Sequence, residues 1–300
     1  LAEGRLPLDR LDGITIRLDS IALFLRALIH SLKKSRELSE FISNITGGNI
    51  REVLELIRGF IGSPNVDSDK IISYMEEDSD YIIPLHEFSK AALLGEYSHY
   101  DSKSSLALNL FDIRYPDKRE HFLSLILISY LLSDTSGKST EGFLPTGDVC
   151  AEMGRFGFVV DQVEHALRKL TNKKLIETTE RVTFDEGLQG LVGDMPLAFR
   201  ATTIGSYHCN RWAATFAYMD AMLVDTPILD QTVRTDISRS IDSFDISKRL
   251  HRTVLFDEYL MQCWSEFSEY PVYFDWPTVR RNGDKTFQSV QRAVQKKGNR

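Results

Sequence analysis

A cation in the first turn of a helix can grip a phosphate without a metal and without losing a proton. Arg51 is placed for that chemistry. It sits in the stretch Thr46-Gly47-Gly48-Asn49-Ile50-Arg51-Glu52-Val53-Leu54-Glu55-Leu56-Ile57-Arg58-Gly59-Phe60, where the glycines permit a left-handed turn and Asn49 is a natural helix cap. The competing use of Arg51 is an ion pair with Glu55 one turn on, a surface contact worth a few tenths of a kcal/mol. Gly137-Lys138-Ser139-Thr140 matches the end of a phosphate-binding P-loop, but the glycine required five residues earlier is Leu132, and the segment follows an apolar helix instead of a strand. It reads as a loop.

A second set of cations, Arg168, Lys169, Lys173 and Lys174, lies on or just after a helix expected over 159 to 175 and gives that span a net charge of +2. Such a helix could enter a major groove. The following 29 or so residues weigh against it, because Glu177, Glu180, Asp185, Glu186 and Asp194 outnumber Arg181 and Arg200, and phosphates would repel that balance. Net charge over the chain is −7, yet residues 279 to 300 hold Arg280, Arg281, Lys285, Arg292, Lys296, Lys297 and Arg300 against Asp284, leaving about −13 on residues 1 to 278. This basic end reads as a solvated tail able to meet nucleic acid or an acidic partner.

Other catalytic patterns are missing from the sequence: no GxSxG, no HExxH, and seven histidines outside ligand spacing. The three cysteines, Cys150, Cys209 and Cys263, fall outside CxxC spacing, which argues for a reducing compartment and against structural zinc, with the cytoplasm as the default. The longest apolar run, Phe122 to Leu132, is too short to span a bilayer, so no membrane partner is expected. The N-terminus carries no signal-peptide pattern, and the chain reads as a fragment of something longer.

The elements that position these residues follow from periodicity. Residues 14 to 33 place Ile21, Phe24, Leu25, Leu28, Ile29 and Leu32 at helical spacing, capped at Asp19 or Ser20. A second helix over 36 to 45 ends at the glycine pair, and a third has the expected buried stripe Ile50, Val53, Leu54, Ile57 and Ile61. Further helices are expected over 67 to 77 and 86 to 95, with Tyr97 and Tyr100 as packing residues. From 117 the expected order is an apolar helix to 133, a short helix over 146 to 153, the basic helix, a strand over 176 to 184, a loop over 185 to 196 and a strand over 197 to 204. Helices over 206 to 224 and within 233 to 269 complete the chain, with Trp212, Phe216, Tyr218 and Trp264 in the core.

Helix, short helix, longer helix and hairpin is the winged-helix order. Preceded by three short helices carrying Gly47-Gly48-Asn49-Ile50-Arg51, it resembles the C-terminal half of a bacterial AAA+ or STAND P-loop ATPase over roughly residues 10 to 225. The resemblance implies a mainly α-helical chain: a lid-like domain over 1 to 63, a helical connector over 64 to 115, a winged-helix domain with a hairpin wing over 116 to 225, and a helical extension with a basic tail over 226 to 300. It further implies that Gly47, Gly48, Asn49 and Arg51 form a sensor-2 element reaching ATP held by a nucleotide-binding domain outside this sequence. The chain itself has neither Walker A nor Walker B and should not hydrolyse ATP alone. Two other readings stand beside this one: a winged-helix DNA-binding regulator using Arg168, Lys169, Lys173 and Lys174, and a helical scaffold that self-associates or holds an effector protein.

Overall fold

The computed structural model describes residues 18 to 185 and 190 to 298; the first 17 residues, 186 to 189 and the last two, Arg300 included, lie outside it. It is mainly helical, with a small three-stranded antiparallel sheet. The N-terminal helices are α1 (Leu18–Lys34), α2 (Arg36–Ile45), α3 (Ile50–Gly62), α4 (Ser68–Glu77) and α5 (Leu85–Leu94). Local chemistry sets several of their boundaries: Ser35 accepts from Leu38 N, Asn49 from Arg51 N and Glu52 N, and Asp67 from Lys70 N. Asp19 and Ser20 lie inside α1 and do not precede it.

The buried faces of α1 and α3 differ from the expected stripes. Phe24, Ala27 and Leu28 of α1 are buried, while Ile21, Leu25 and Ile29 are exposed. Leu56 and Phe60 of α3 are buried, whereas Ile50, Leu54 and Ile61 stand in solvent. The reason is that α3 is apolar around most of its circumference and only one side has a neighbour: Phe60 stacks on Phe88 of α5 with ring centroids 3.9 Å apart, and on Phe24 at 6.1 Å.

A short 3-10 turn (Lys118–Phe122) leads into α6 (Leu123–Leu132), whose residues, Ser124 and Leu132 apart, are buried. A helix so uniformly apolar needs partners all round. It finds them in α7 (Thr146–Arg155), α8 (Val160–Asn172), α9 (Thr203–Tyr207) and the sheet. That sheet has the order β1-β5-β2, formed by β1 (Leu144–Pro145), β5 (Ala198–Ala201) and β2 (Ile176–Glu177), with Leu144 opposite Phe199 and Ile176 opposite Ala201. The strand expected over 176 to 184 contributes only its first two residues here. Its end instead forms β3 (Thr183–Asp185), which pairs with β4 (Gly190–Val192) inside the expected loop.

The helix expected over 206 to 224 is broken. After α9 comes one π-helical turn (His208–Trp212), and Thr215 then caps α10 (Phe216–Met222) by accepting from Tyr218 N. Beyond lie α11 (Gln231–Ser238), α12 (Ile246–Trp264), α13 (Trp276–Arg281) and α14 (Asp284–Gly298). The basic end is therefore a helix through Gly298, contrary to the solvated tail expected. Two glycines permit close crossings: a Cβ on Gly205 would lie 2.1 Å from the Leu175 carbonyl oxygen, and one on Gly283 would lie 1.8 Å from that of Ala214.

The buried apolar residues form one cluster reaching from Phe24 to Phe287. Phe41 of α2 meets Trp212 at 5.3 Å, and Phe111 meets Tyr218, Phe256 and Trp276. The segment 107 to 112 crosses this core without being helix or strand, so side chains must serve its backbone. Tyr218 Oη accepts from Leu110 N (3.2 Å) and donates to Leu108 O (2.5 Å), while Tyr100 Oη accepts from Asn109 N (3.1 Å). Tyr259 Oη accepts from Leu229 N and donates to His121 Nε2 (2.9 Å), leaving His121 Nδ1–H for Phe111 O (2.6 Å). The Glu120 carboxylate, buried nearby, accepts from Arg114 N, Tyr115 N and Gln162 Nε2.

Candidate functional site

The turn between α2 and α3 is built as the glycines require. Gly47 and Gly48 have φ of +60° and +73°. Gly48 N donates to Ser43 O (2.9 Å) and Gly47 N to Asn44 O (3.4 Å), the paired bonds that close a helix C-terminus. Asn49 Oδ1 then accepts from Arg51 N at 3.0 Å and Glu52 N at 3.5 Å, opening α3. Arg51 leaves the first turn with its side chain 86% exposed, and its Nε donates to Glu55 Oε1 at 3.1 Å. The surface pair considered from sequence is thus formed, and the guanidinium remains accessible around it.

The neighbouring side chain points the other way. Glu52 accepts from Lys174 Nζ at 2.8 Å, joining α3 to the end of α8. Lys174 closes α8 with φ +57°, and a Cβ on Gly47 would rest 3.3 Å from Ile204 Cδ1. Here the turn forms one wall of a cleft of about 980 Å³, with Gly47, Asn49 and Glu52 facing Lys173, Lys174 and Ile204. Arg51 does not line this cleft. Three of the cations that do are matched locally: Lys174 by Glu52, Arg200 by Glu177 at 2.6 Å, and Lys138 by the Ser133 carbonyl. A triphosphate here would have to displace these partners and would meet Glu141 and Glu180, which also line the cleft.

The four cations proposed from sequence for a groove have internal partners. Arg168 donates to Gly193 O at 2.9 Å, Lys169 pairs with Asp112, Lys173 donates to Ser105 O at 2.6 Å and Lys174 binds Glu52. Burial pushes the Lys173 ammonium below its ordinary pKa. At the other end of α8, Val159 and Val160 are exposed beside Asp161, which pairs with Arg114 at 3.1 Å and accepts from Tyr115 Oη.

No family model, curated protein or solved structure matches this chain. Function therefore rests on the molecule's own surfaces. Among the described residues, no cluster of His, Cys, Asp and Glu could hold a metal ion, and no helix is long and apolar enough to cross a membrane.

Two features escaped the sequence reading. One is the exposed apolar stripe of α1 and α3, hidden because periodicity reports that a helix has an apolar face but not how many neighbours it meets. The other is the helical form of the basic end, where Phe287, Val290 and Val294 recur at helical spacing and carried the signal.

Proposed function

We propose that this chain is the regulatory C-terminal part of a nucleotide-switch ATPase, its lid-like helices docking on a nucleotide-binding domain and its winged-helix-like segment passing the nucleotide state to partners. The observation that carries the reading is the joint presentation, on α3, of an accessible Arg51 and an uncovered apolar stripe. Ile50 is 77% exposed and Leu54, one turn on, 62% exposed, with exposed Ile61 two turns beyond Leu54 along the same side. At about 100° per residue, Arg51 and Arg58 border this stripe. A domain seated on Ile50, Leu54 and Ile61 would therefore have a guanidinium at its edge, free to exchange Glu55 for a phosphate. Glu52, bound to Lys174, would carry any shift of α3 to the end of α8.

The experiment is calorimetric binding of a non-hydrolysable ATP analogue to the native full-length protein, comparing wild type with Arg51→Ala and with Leu54→Glu. The expected result is weaker nucleotide binding in both, with the melting temperature preserved. Unchanged affinity in both variants would reduce Arg51 to a surface pair and end this reading. A DNA-binding role for α8 has less support, since its cations are already engaged.

A further inference from the structure

We propose that the outer face of α14 is a binding surface for the phosphate backbone of double-stranded nucleic acid. The helix is two-sided. Phe287 is buried, and Val290 and Val294 are partly buried on the same side. At about 100° per residue, Lys285, Arg292 and Lys296 fall within roughly 40° of one another on the opposite side. All three are exposed, and none makes an ion pair among the described residues. Gln288, Ser289 and Gln295, exposed around them, supply further hydrogen-bonding groups.

Negative charge is absent from that face. Asp284 is the single acid of α14 and is paired with Arg280, whose Nε also binds Asp257 and whose guanidinium stacks on Phe287 at 4.5 Å. At the near end, Asn282 Nδ2 donates to Asn210 O at 2.9 Å, tying the start of the helix to the π-helical turn. The whole stands on a body that is otherwise strongly acidic.

The surface is also rigidly held. Gly283 rests on the Ala214 carbonyl, Phe287 packs edge-on against Phe216 at 5.6 Å, and at the far end Lys297 Nζ binds Asp245 at 2.6 Å. Little ordering is left to be done on binding. A fifteen-residue helix is about 22 Å long, and one strand of B-form DNA carries a phosphate per about 3.4 Å of axis, so the face runs alongside roughly half a dozen phosphates of one strand.

Other occupants fit less well. Protein interfaces centre on aromatic and aliphatic anchors, and the outer face offers none larger than Ala293. A helix lying in a membrane surface needs bulky apolar residues directed outward, whereas Phe287 and Val290 pack into the core and Val294 is half-buried.

The test is anisotropy binding of a fluorescent random duplex DNA of about 20 base pairs to the full chain across a salt series, an oligomer longer than the helix. Wild type should bind with log K falling linearly in log salt. The variant Lys285→Gln/Arg292→Gln/Lys296→Gln should fold normally and lose about 2.7 from that slope, at about 0.9 per cation. Lys285→Arg/Arg292→Lys/Lys296→Arg should keep the wild-type slope, and Lys33→Gln/Lys34→Gln should leave it unchanged. Absence of salt-dependent binding, or a slope untouched by the triple glutamine variant, overturns the proposal. Preferential binding of polyglutamate or of phosphatidylserine vesicles over the duplex overturns it as well, in favour of an acidic protein or a membrane.

Discussion

The α8 segment and α14 carry the same number of cations, four each, and use them in opposite ways. Around α8, the carbonyls of Ser105 and Gly193 and the carboxylates of Glu52 and Asp112 take up Lys173, Arg168, Lys174 and Lys169, so these charges brace the helix against its neighbours. Along α14, among the described residues, only Lys297 is tied to a carboxylate, by Asp245, while Lys285, Arg292 and Lys296 are exposed. The difference lies in what surrounds each helix. A cation that neighbouring backbone can reach becomes a strut, because an ammonium buried without partners costs several kcal/mol. One on a helix with a single packed side stays available for an external anion.

The sharpest way to break the contrast is to dislodge α14. Gly283→Ala would drive a methyl group into the Ala214 carbonyl, with a cost of about 3 kcal/mol or more and loss of duplex binding. Gly205→Ala, against the Leu175 carbonyl, should destabilise by a similar amount through the α8 side. Denaturant unfolding of both variants measures this; stability equal to wild type would show the crossings to be looser than described.

Acid should strike the piece between the two regions. The π-helical turn that follows Gly205 and leads to Ala214 contains His208, fully buried, with Nδ1 bonded to Ile204 O and Nε2 without a partner among the described residues. Burial, with Lys173 adding a smaller push, lowers its pKa from 6.5 to about 4, against the bond to Ile204. Protonation therefore favours unfolding. The stability contribution is complete above pH 6.5 and is lost as pH falls towards 4, by on the order of 3 kcal/mol. Burial lowers the pKa of His121 and His165 too and adds in the same direction. Denaturant titrations from pH 7.5 to about 4 should show the decline, and His208→Gln should flatten it; an unchanged slope would place the acid sensitivity elsewhere.

Smaller effects separate struts from free cations directly. Lys169→Ala leaves Asp112 half-buried and unpaired and should cost about 1 to 2 kcal/mol, discounted for the partial exposure of both groups. Each of Lys285→Gln, Arg292→Gln and Lys296→Gln should change stability by less than about 0.5 kcal/mol while weakening duplex binding. Equal stability losses on both helices would erase the distinction. Arg51→Ala, losing one exposed pair with Glu55, should cost only about 0.3 kcal/mol in thermal unfolding and register chiefly in nucleotide affinity.

Much of this was legible in the residue string wherever the signal was local. The glycine pair and Asn49 fixed the α2–α3 turn, Thr46 to Phe60 announced α3, and the apolar run of α6 announced a core helix. Non-local choices were not legible. Ile50 and Leu54 look as buriable as Leu56 and Phe60, and only the position of Phe88 decides which side of α3 is covered. Thr215 gives little warning that it ends one helical run and caps another. Lys169 and Lys173 carry no mark of the partners, Asp112 and Ser105, that lie some sixty residues away in the chain.

The buried crossing of residues 107 to 112 has a dynamic corollary. Its amides at Asn109, Leu110 and Phe111 are held by two tyrosine hydroxyls and the Asn109 side chain, inside the buried core. In hydrogen–deuterium exchange this stretch should therefore resist labelling as long as α6 does, a slow-exchanging span with no helix or strand to announce it. Tyr218→Phe would remove one of its anchors and should speed exchange at Leu110 before the rest of the core responds.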